Sequence, residues 1–134
     1  MGKLFLDTNI FVRYLVGDIE NSAIDIQKLF QNGAEGKVEY LTKTQVLIEL
    51  NYVLKTHYNL ERDKIILAIK TILNLGSVSV VDADIENLEK VLKLYESCSQ
   101  LSLEDCIYLQ YCLQEKIELL TLDKKLKNIF KKLA

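Results

Sequence analysis

Proline and tryptophan are absent from these 134 residues, histidine occurs once, and arginine only at Arg13 and Arg62. Without proline, neither a polyproline ligand segment nor a stiff Pro-rich linker is expected. A single histidine, His57, leaves no Cys/His set with zinc spacing. Any Ser/His/Asp triad would have to use that residue, which falls in the last turn of an expected helix. The three cysteines, Cys98, Cys106 and Cys112, match neither a C-x-x-C knuckle nor a redox pair, and an odd number makes a poor disulfide framework. Reduced thiols in a cytoplasmic setting are the expectation, with Cys106 and Cys112 as small core fillers on an apolar helix. The five glycines all stand apart, which excludes a Gly-rich phosphate loop. No apolar run approaches the roughly 20 residues that span a bilayer. The opening apolar run is broken by Asp7 and Asn9, unlike a signal peptide, so no membrane partner is expected.

What remains is a chain that is 49% hydrophobic, enough for one continuous core and a single domain over residues 1–134. The net charge is -2, but it is unevenly spread. Residues 124–134 hold Lys124, Lys125, Lys127, Lys131 and Lys132 and no acid, so the +5 of this tail leaves -7 on residues 1–123. Lysines at the end of a helix also suit its dipole and solvated surface. They equally offer contacts to the phosphates of a nucleic acid, with Lys124, Lys125 and Lys127 the candidates.

Strand-like and helical patterns alternate along the chain. Lys3 to Leu6 reads as a parallel strand covered on both faces. A helix from Thr8 to about Val16 ends near Gly17, and another is expected from Ile19 to Gln31. The Asn32–Gly36 stretch, with two glycines, reads as a loop. Val38–Leu41 is a strand, and Thr44–His57 a helix with Val46, Leu47, Leu50, Val53 and Leu54 on one face. A helix over Glu61–Asn74 and a strand at Val78–Val81 follow. Asp82 or Asp84 is placed to cap the next helix, which runs to about Ser97. Ser102–Glu115 is a helix, Ile117–Leu122 a strand, and a basic helix follows from Lys124. The alternation implies an α/β fold with a mostly parallel central sheet.

Four carboxylates fall at informative places: Asp7, Glu49, Asp105 and Asp123. Asp7 and Asp123 each follow an expected strand, so in a parallel sheet they would share one edge, where ligands collect in open α/β folds. Asp105 lies on a stripe with Tyr108, Leu109 and Cys112, and Glu49 at the rim of an apolar face. Each also has a structural use. Asp7 and Asp123 can cap helices, Ser102-Leu103-Glu104-Asp105 resembles a capping box, and Glu49 can face solvent. Carboxylates at the rim of a core are costly unless paired or bound to a cation. With two arginines available, hard oxygen donors point to Mg2+ or Mn2+.

These residues carry a resemblance. Leu4-Phe5-Leu6-Asp7-Thr8-Asn9-Ile10, Glu49 in the third expected helix, Leu103-Glu104-Asp105 opening a late helix, and Leu119-Leu120-Thr121-Leu122-Asp123 together resemble a PIN domain. In length and order the chain is similar to the VapC-type toxins of toxin–antitoxin pairs. It departs from the family habit at Cys106, where Ala is common, and at Lys125-Leu126, where an acid and Phe are common. The resemblance implies an α/β/α sandwich and a Mg2+- or Mn2+-dependent endoribonuclease whose four acids converge on the metal. Asp7 and Asp105 would be direct ligands, and Glu49 and Asp123 would act through water or complete a second ion position. Thr8, Asn9 and Thr121 would either orient these carboxylates or serve only to start helices and end a strand. A cognate antitoxin and a homodimer follow by analogy. The alternative is a non-catalytic PIN-like module that binds RNA or protein.

Overall fold

The structure, a computed structural model, describes residues 2–17 and 24–134. Two compact units make up the chain, Met1–Asp84 and Ile85–Ala134. The first contains β1 (Gly2–Phe5), α1 (Thr8–Val16), α2 (Ile26–Ala34), β2 (Val38–Thr42), α3 (Thr44–Thr56), α4 (Arg62–Leu73) and β3 (Val78–Val80). The second contains α5 (Ile85–Ser97), α6 (Leu103–Glu115) and α7 (Lys124–Leu133). The mixed α/β class with a parallel sheet is as expected and compatible with an α/β/α arrangement.

The strands lie in the order β1-β2-β3, all parallel, with Leu4 opposite Tyr40 and Tyr40 opposite Val78. Parallel neighbours need a crossover, and pairs of helices supply it here. Because the strands are parallel, their carboxyl ends share one edge. Asp7, the start of α3 and Asp82 all follow those ends.

The helices bury the faces their periodicity selects. On α4 the buried positions are Ile65, Ile66, Ile69, Ile72 and Leu73; on α3 they include Val46, Leu47, Leu50 and Leu54. Each such side chain contributes about 1.5–3 kcal/mol by leaving water. The second unit buries Leu88, Val91, Leu92, Tyr95, Leu101, Leu103, Leu109 and Leu126, with Cys106 and Cys112 among them as core cysteines outside any disulfide. The helix that opens at Thr8 closes at Gly17, whose φ of 77° is left-handed and whose N–H donates to the Arg13 carbonyl at 2.9 Å. Glycine takes that conformation without a Cβ penalty.

Several expectations need correction. Ile117–Leu122 forms no strand, and Leu120 and Leu122 stand 96% and 101% exposed. An apolar run alone does not decide its own pairing; a strand also needs an edge to join. The strand β1, expected to be covered on both faces, is exposed at all four positions, and burial begins only at Leu6. Gly33 belongs to α2 rather than to a loop. A Cβ there would lie 2.6 Å from a ring carbon of Tyr40 and 2.8 Å from Ser77, so glycine serves close packing instead of a turn. The first part of the helix expected from Ile19, residues 19–23, lies outside the described residues.

Candidate active site

Asp7 sits in extended backbone just beyond β1 and is the N-cap of α1, its Oδ1 accepting the Thr8 N–H at 2.7 Å. Such caps answer one of the donors that a helix start leaves over. The Thr8 side chain turns the other way. It is buried, and its hydroxyl donates to Glu49 Oε2 at 2.7 Å, joining α1 to the middle of α3 across 41 residues. One residue thus binds two of the candidate acids, Asp7 through its backbone and Glu49 through its side chain. Glu49 itself is exposed, yet it does more than face solvent. Asn9, next along α1, is exposed.

The start of α3 has its own carboxylate, one that sequence reasoning assigned to a different helix. Lys43, the N-cap residue, makes no side-chain capping bond. Asp82, just past β3, substitutes for it: its Oδ1 accepts from Thr44 N at 2.9 Å and from the Thr44 hydroxyl at 3.0 Å. Asp82 therefore fixes the first turn of the helix that presents Glu49. The available signal was its place after the third parallel strand, on the same sheet edge as Asp7.

In the second unit, Asp105 and Ser102 form the expected capping box at the head of α6. Ser102 Oγ accepts from Asp105 N at 3.1 Å, and Asp105 Oδ2 accepts from Ser102 N at 3.2 Å. Asp105 is half-buried; Leu109 and Cys112 on its stripe are buried, whereas Tyr108 is exposed. Asp123 does not end a strand, contrary to expectation, but caps α7, its Oδ1 accepting from Lys125 N at 2.9 Å and Leu126 N at 3.2 Å. Thr121 Oγ1 accepts from Asp123 N at 3.1 Å, so this threonine orients the turn that presents the acid. His57 is the exposed C-cap residue of α3, a helix-end role rather than a ligand's.

Among the described residues no group of three or more His, Cys, Asp or Glu is arranged to hold a metal ion. Taken one by one, the carboxylates are hard oxygen donors of the kind Mg2+ takes. Each cap or cross-link uses one carboxylate oxygen: Oδ1 of Asp7, Oε2 of Glu49, Oδ2 of Asp105 and Oδ1 of Asp123. The second oxygen of each takes no hydrogen bond among the described residues. Mg2+ characteristically takes one or two carboxylates directly and fills its shell with water and substrate phosphate. A carboxylate held by one oxygen and open at the other fits such a role.

A family model described as PIN domain matches residues 4–132. No curated protein matches the chain.

Proposed function

The chain belongs to the PIN domain family, nucleases that commonly act on RNA, and from that premise we propose that it is a Mg2+- or Mn2+-dependent endoribonuclease. Its carboxylates would be Asp7, Glu49, Asp105 and Asp123, with Asp7 and Asp105 as direct ligands and the other two acting through water or completing a second ion position. The whole chain, residues 1–134, would serve as one PIN domain. The divalent ion, when bound, supplies an activated water and neutralises charge building on the phosphate. The protein's own part is positioning. Thr8 fixes the Glu49 carboxylate by a direct bond, and Asp82 steadies the helix that carries it. Thr121 orients the turn at Asp123, and Asn9, exposed two residues after Asp7, is a further polar group in the first turn of α1.

The observation that carries this reading is the Thr8–Glu49 bond. Glu49 sits in the middle of α3, where no helix end needs capping, so its carboxylate is held in place without serving as a cap. The test is cleavage of a labelled single-stranded RNA with Mg2+ or Mn2+, with and without excess EDTA, using wild type, Asp7→Asn and Asp105→Asn. Metal-dependent cleavage lost in both variants is expected. Equal cleavage in all three proteins, or in EDTA, overturns it.

The finer biological reading is the toxin of a toxin–antitoxin pair, a cytoplasmic homodimer neutralised by a protein antitoxin. Its support is the similarity of chain length and motif order to VapC-type toxins. Growth arrest on expression, relieved by Asp7→Asn, is the expected behaviour. The second reading is a non-catalytic PIN-like module that binds RNA or protein. One observation favours it: Asp7, Asp105 and Asp123 all cap helices, a use that would keep them in place after catalysis was lost. Calorimetric titration with Mn2+ separates the two, since the module predicts no binding heat at millimolar metal.

A further inference from the structure

The helix α7 has a charge pattern that its own stability does not explain. Its apolar stripe is engaged, with Leu126 buried, Ile129 and Phe130 half-buried, and α6 packed beside it. The rest of its surface carries Lys124, Lys125, Lys127, Lys131 and Lys132, all exposed, with no acid between residues 124 and 134. At 100° per residue these five fall on one continuous face of the helix. Among the described residues, the ion pairs involve Lys3, Lys37 and Lys90, and none of these five.

Lys131 and Lys132 lie in the last turn, where cations suit the helix dipole. Lys124, Lys125 and Lys127 lie in the first, where the dipole is already positive and added cations cost stability. Lys124 and Lys127, and Lys127 and Lys131, are also like-charge neighbours at three- and four-residue spacing. Asp123, the cap, is the one acid close by in sequence. A surface that opposes its own helix in this way, within a chain of net charge -2, is complementary to a polyanion.

We propose that the lysine face of α7 is a docking surface for the sugar–phosphate backbone of single-stranded RNA, and that it works without a metal ion. This rests on the RNA-directed reading above and extends it from the acids to the surface that sets affinity. The alternative occupant of a basic amphipathic helix is an anionic membrane. That would require the apolar stripe to enter lipid, and here Leu126 is buried and Ile129 and Phe130 are half-buried, with Leu133 the exposed end of the stripe.

The test is binding of a fluorescein-labelled single-stranded RNA to the full chain in EDTA, across 50–200 mM salt. Variants are K124Q/K125Q/K127Q and K131Q/K132Q. Each phosphate contact adds about 0.7 to the log–log salt slope for single strands. Wild type should therefore give a slope of magnitude about 3.5, lowered by about 2 in the triple variant and about 1.4 in the double. The triple variant should also melt at the same temperature or higher in low salt, because it removes charge that opposes the dipole. Unchanged slopes and affinities overturn the proposal, as does tighter binding to phosphatidylserine vesicles than to RNA. RNA binding with the expected slopes but no metal-dependent cleavage leaves this proposal standing and removes the nuclease. Cleavage with unaltered slopes does the reverse.

Discussion

In the unit Met1–Asp84, Glu49 is held by Thr8 across 41 residues and Asp82 holds Thr44 across 38. In the unit Ile85–Ala134, Asp105 and Asp123 are held by donors two or three residues away. A short-range cap forms wherever a helix starts after a suitable side chain, so it reports local need. A bond between distant elements exists only because the fold brought them together, and Glu49 has no helix end to serve. Glu49 is thus held for a reason other than capping, while Asp7, like Asp105 and Asp123 in the second unit, fits a dual role.

Asparagine and alanine separate those roles. Asparagine caps about as well as aspartate but lacks the charge a cation needs, whereas alanine loses both. Asp105→Asn and Asp7→Asn should keep wild-type stability and lose cleavage on the order of 10²-fold or more, the scale set by removing a group that answers transition-state charge. Asp105→Ala and Asp123→Ala should in addition lose about 1 kcal/mol in urea unfolding. Asparagine variants that cut RNA at the wild-type rate would reduce the second unit's acids to caps alone.

The next largest effect tests how tightly long-range packing governs the first unit. Gly33→Ala at an open helical position would gain about 0.5–1 kcal/mol. Here the new methyl would stand 2.6 Å from the Tyr40 ring and 2.8 Å from Ser77. Tyr40 is fully buried, with its hydroxyl donating to the Leu29 carbonyl, and Phe30 lies against its ring at 5.9 Å between centroids. Any shift of the ring would disturb that hydrogen bond and the contact with Phe30. Overpacking of this kind costs about 1–3 kcal/mol, so the strain outweighs the helical gain and destabilisation is expected. A midpoint in urea equal to or above wild type would mean that α2 can shift away from the sheet.

The same contrast explains what could be read from residues alone. The helices of both units, the Ser102–Asp105 box and the caps at Asp7 and Asp123 were legible, because each depends on neighbours within four positions. The apolar steps of α4 likewise predicted its buried face. Gly33 escapes a local reading because two glycines three residues apart resemble a loop until Tyr40 and Ser77 are seen against Gly33. Asp82 was given to the helix that follows it, since nothing local says that it answers Thr44. Ile117–Leu122 has the composition of a strand, but strand pairing is a property of a partner, not of composition. Around the candidate acids, the local bonds of Asp7, Asp105 and Asp123 were legible, while the Thr8–Glu49 bond was not.

That bond yields a smaller, directed prediction. Thr8→Val keeps the buried shape and removes the donor, so Glu49 loses its anchor while retaining its charge. Groups that orient metal ligands are worth roughly 10–100-fold in metal affinity or activity, and the lower end is expected because Glu49 is exposed. Stability should fall by about 1 kcal/mol, the net worth of one hydrogen bond. Thr8→Ser should restore cleavage, whereas in the Glu49→Gln background Thr8→Val should change little. Additive losses in the double variant would mean that Thr8 does not act through Glu49.

The smallest effect concerns pH and again separates the units. Burial pushes the Tyr40 hydroxyl above the ordinary tyrosine range, and ionisation would set a phenolate against the Leu29 carbonyl to which it now donates. Folding thus favours the protonated form. The stabilisation is fully present below the unfolded-state value near 10 and is lost as pH rises through the higher folded-state value. Tyr40→Phe keeps the ring and removes both the hydrogen bond and the titration. It should be less stable than wild type at pH 8, by about 1 kcal/mol, and the gap should narrow as pH passes 10. Hydrogen exchange read separately over 24–84 and 85–134 locates the change: amides of β2 and α2 should lose protection in alkaline wild type, while those of α5 and α6 respond equally in both proteins. A gap that stays constant to pH 11 would mean that Tyr40 titrates no differently in the folded chain.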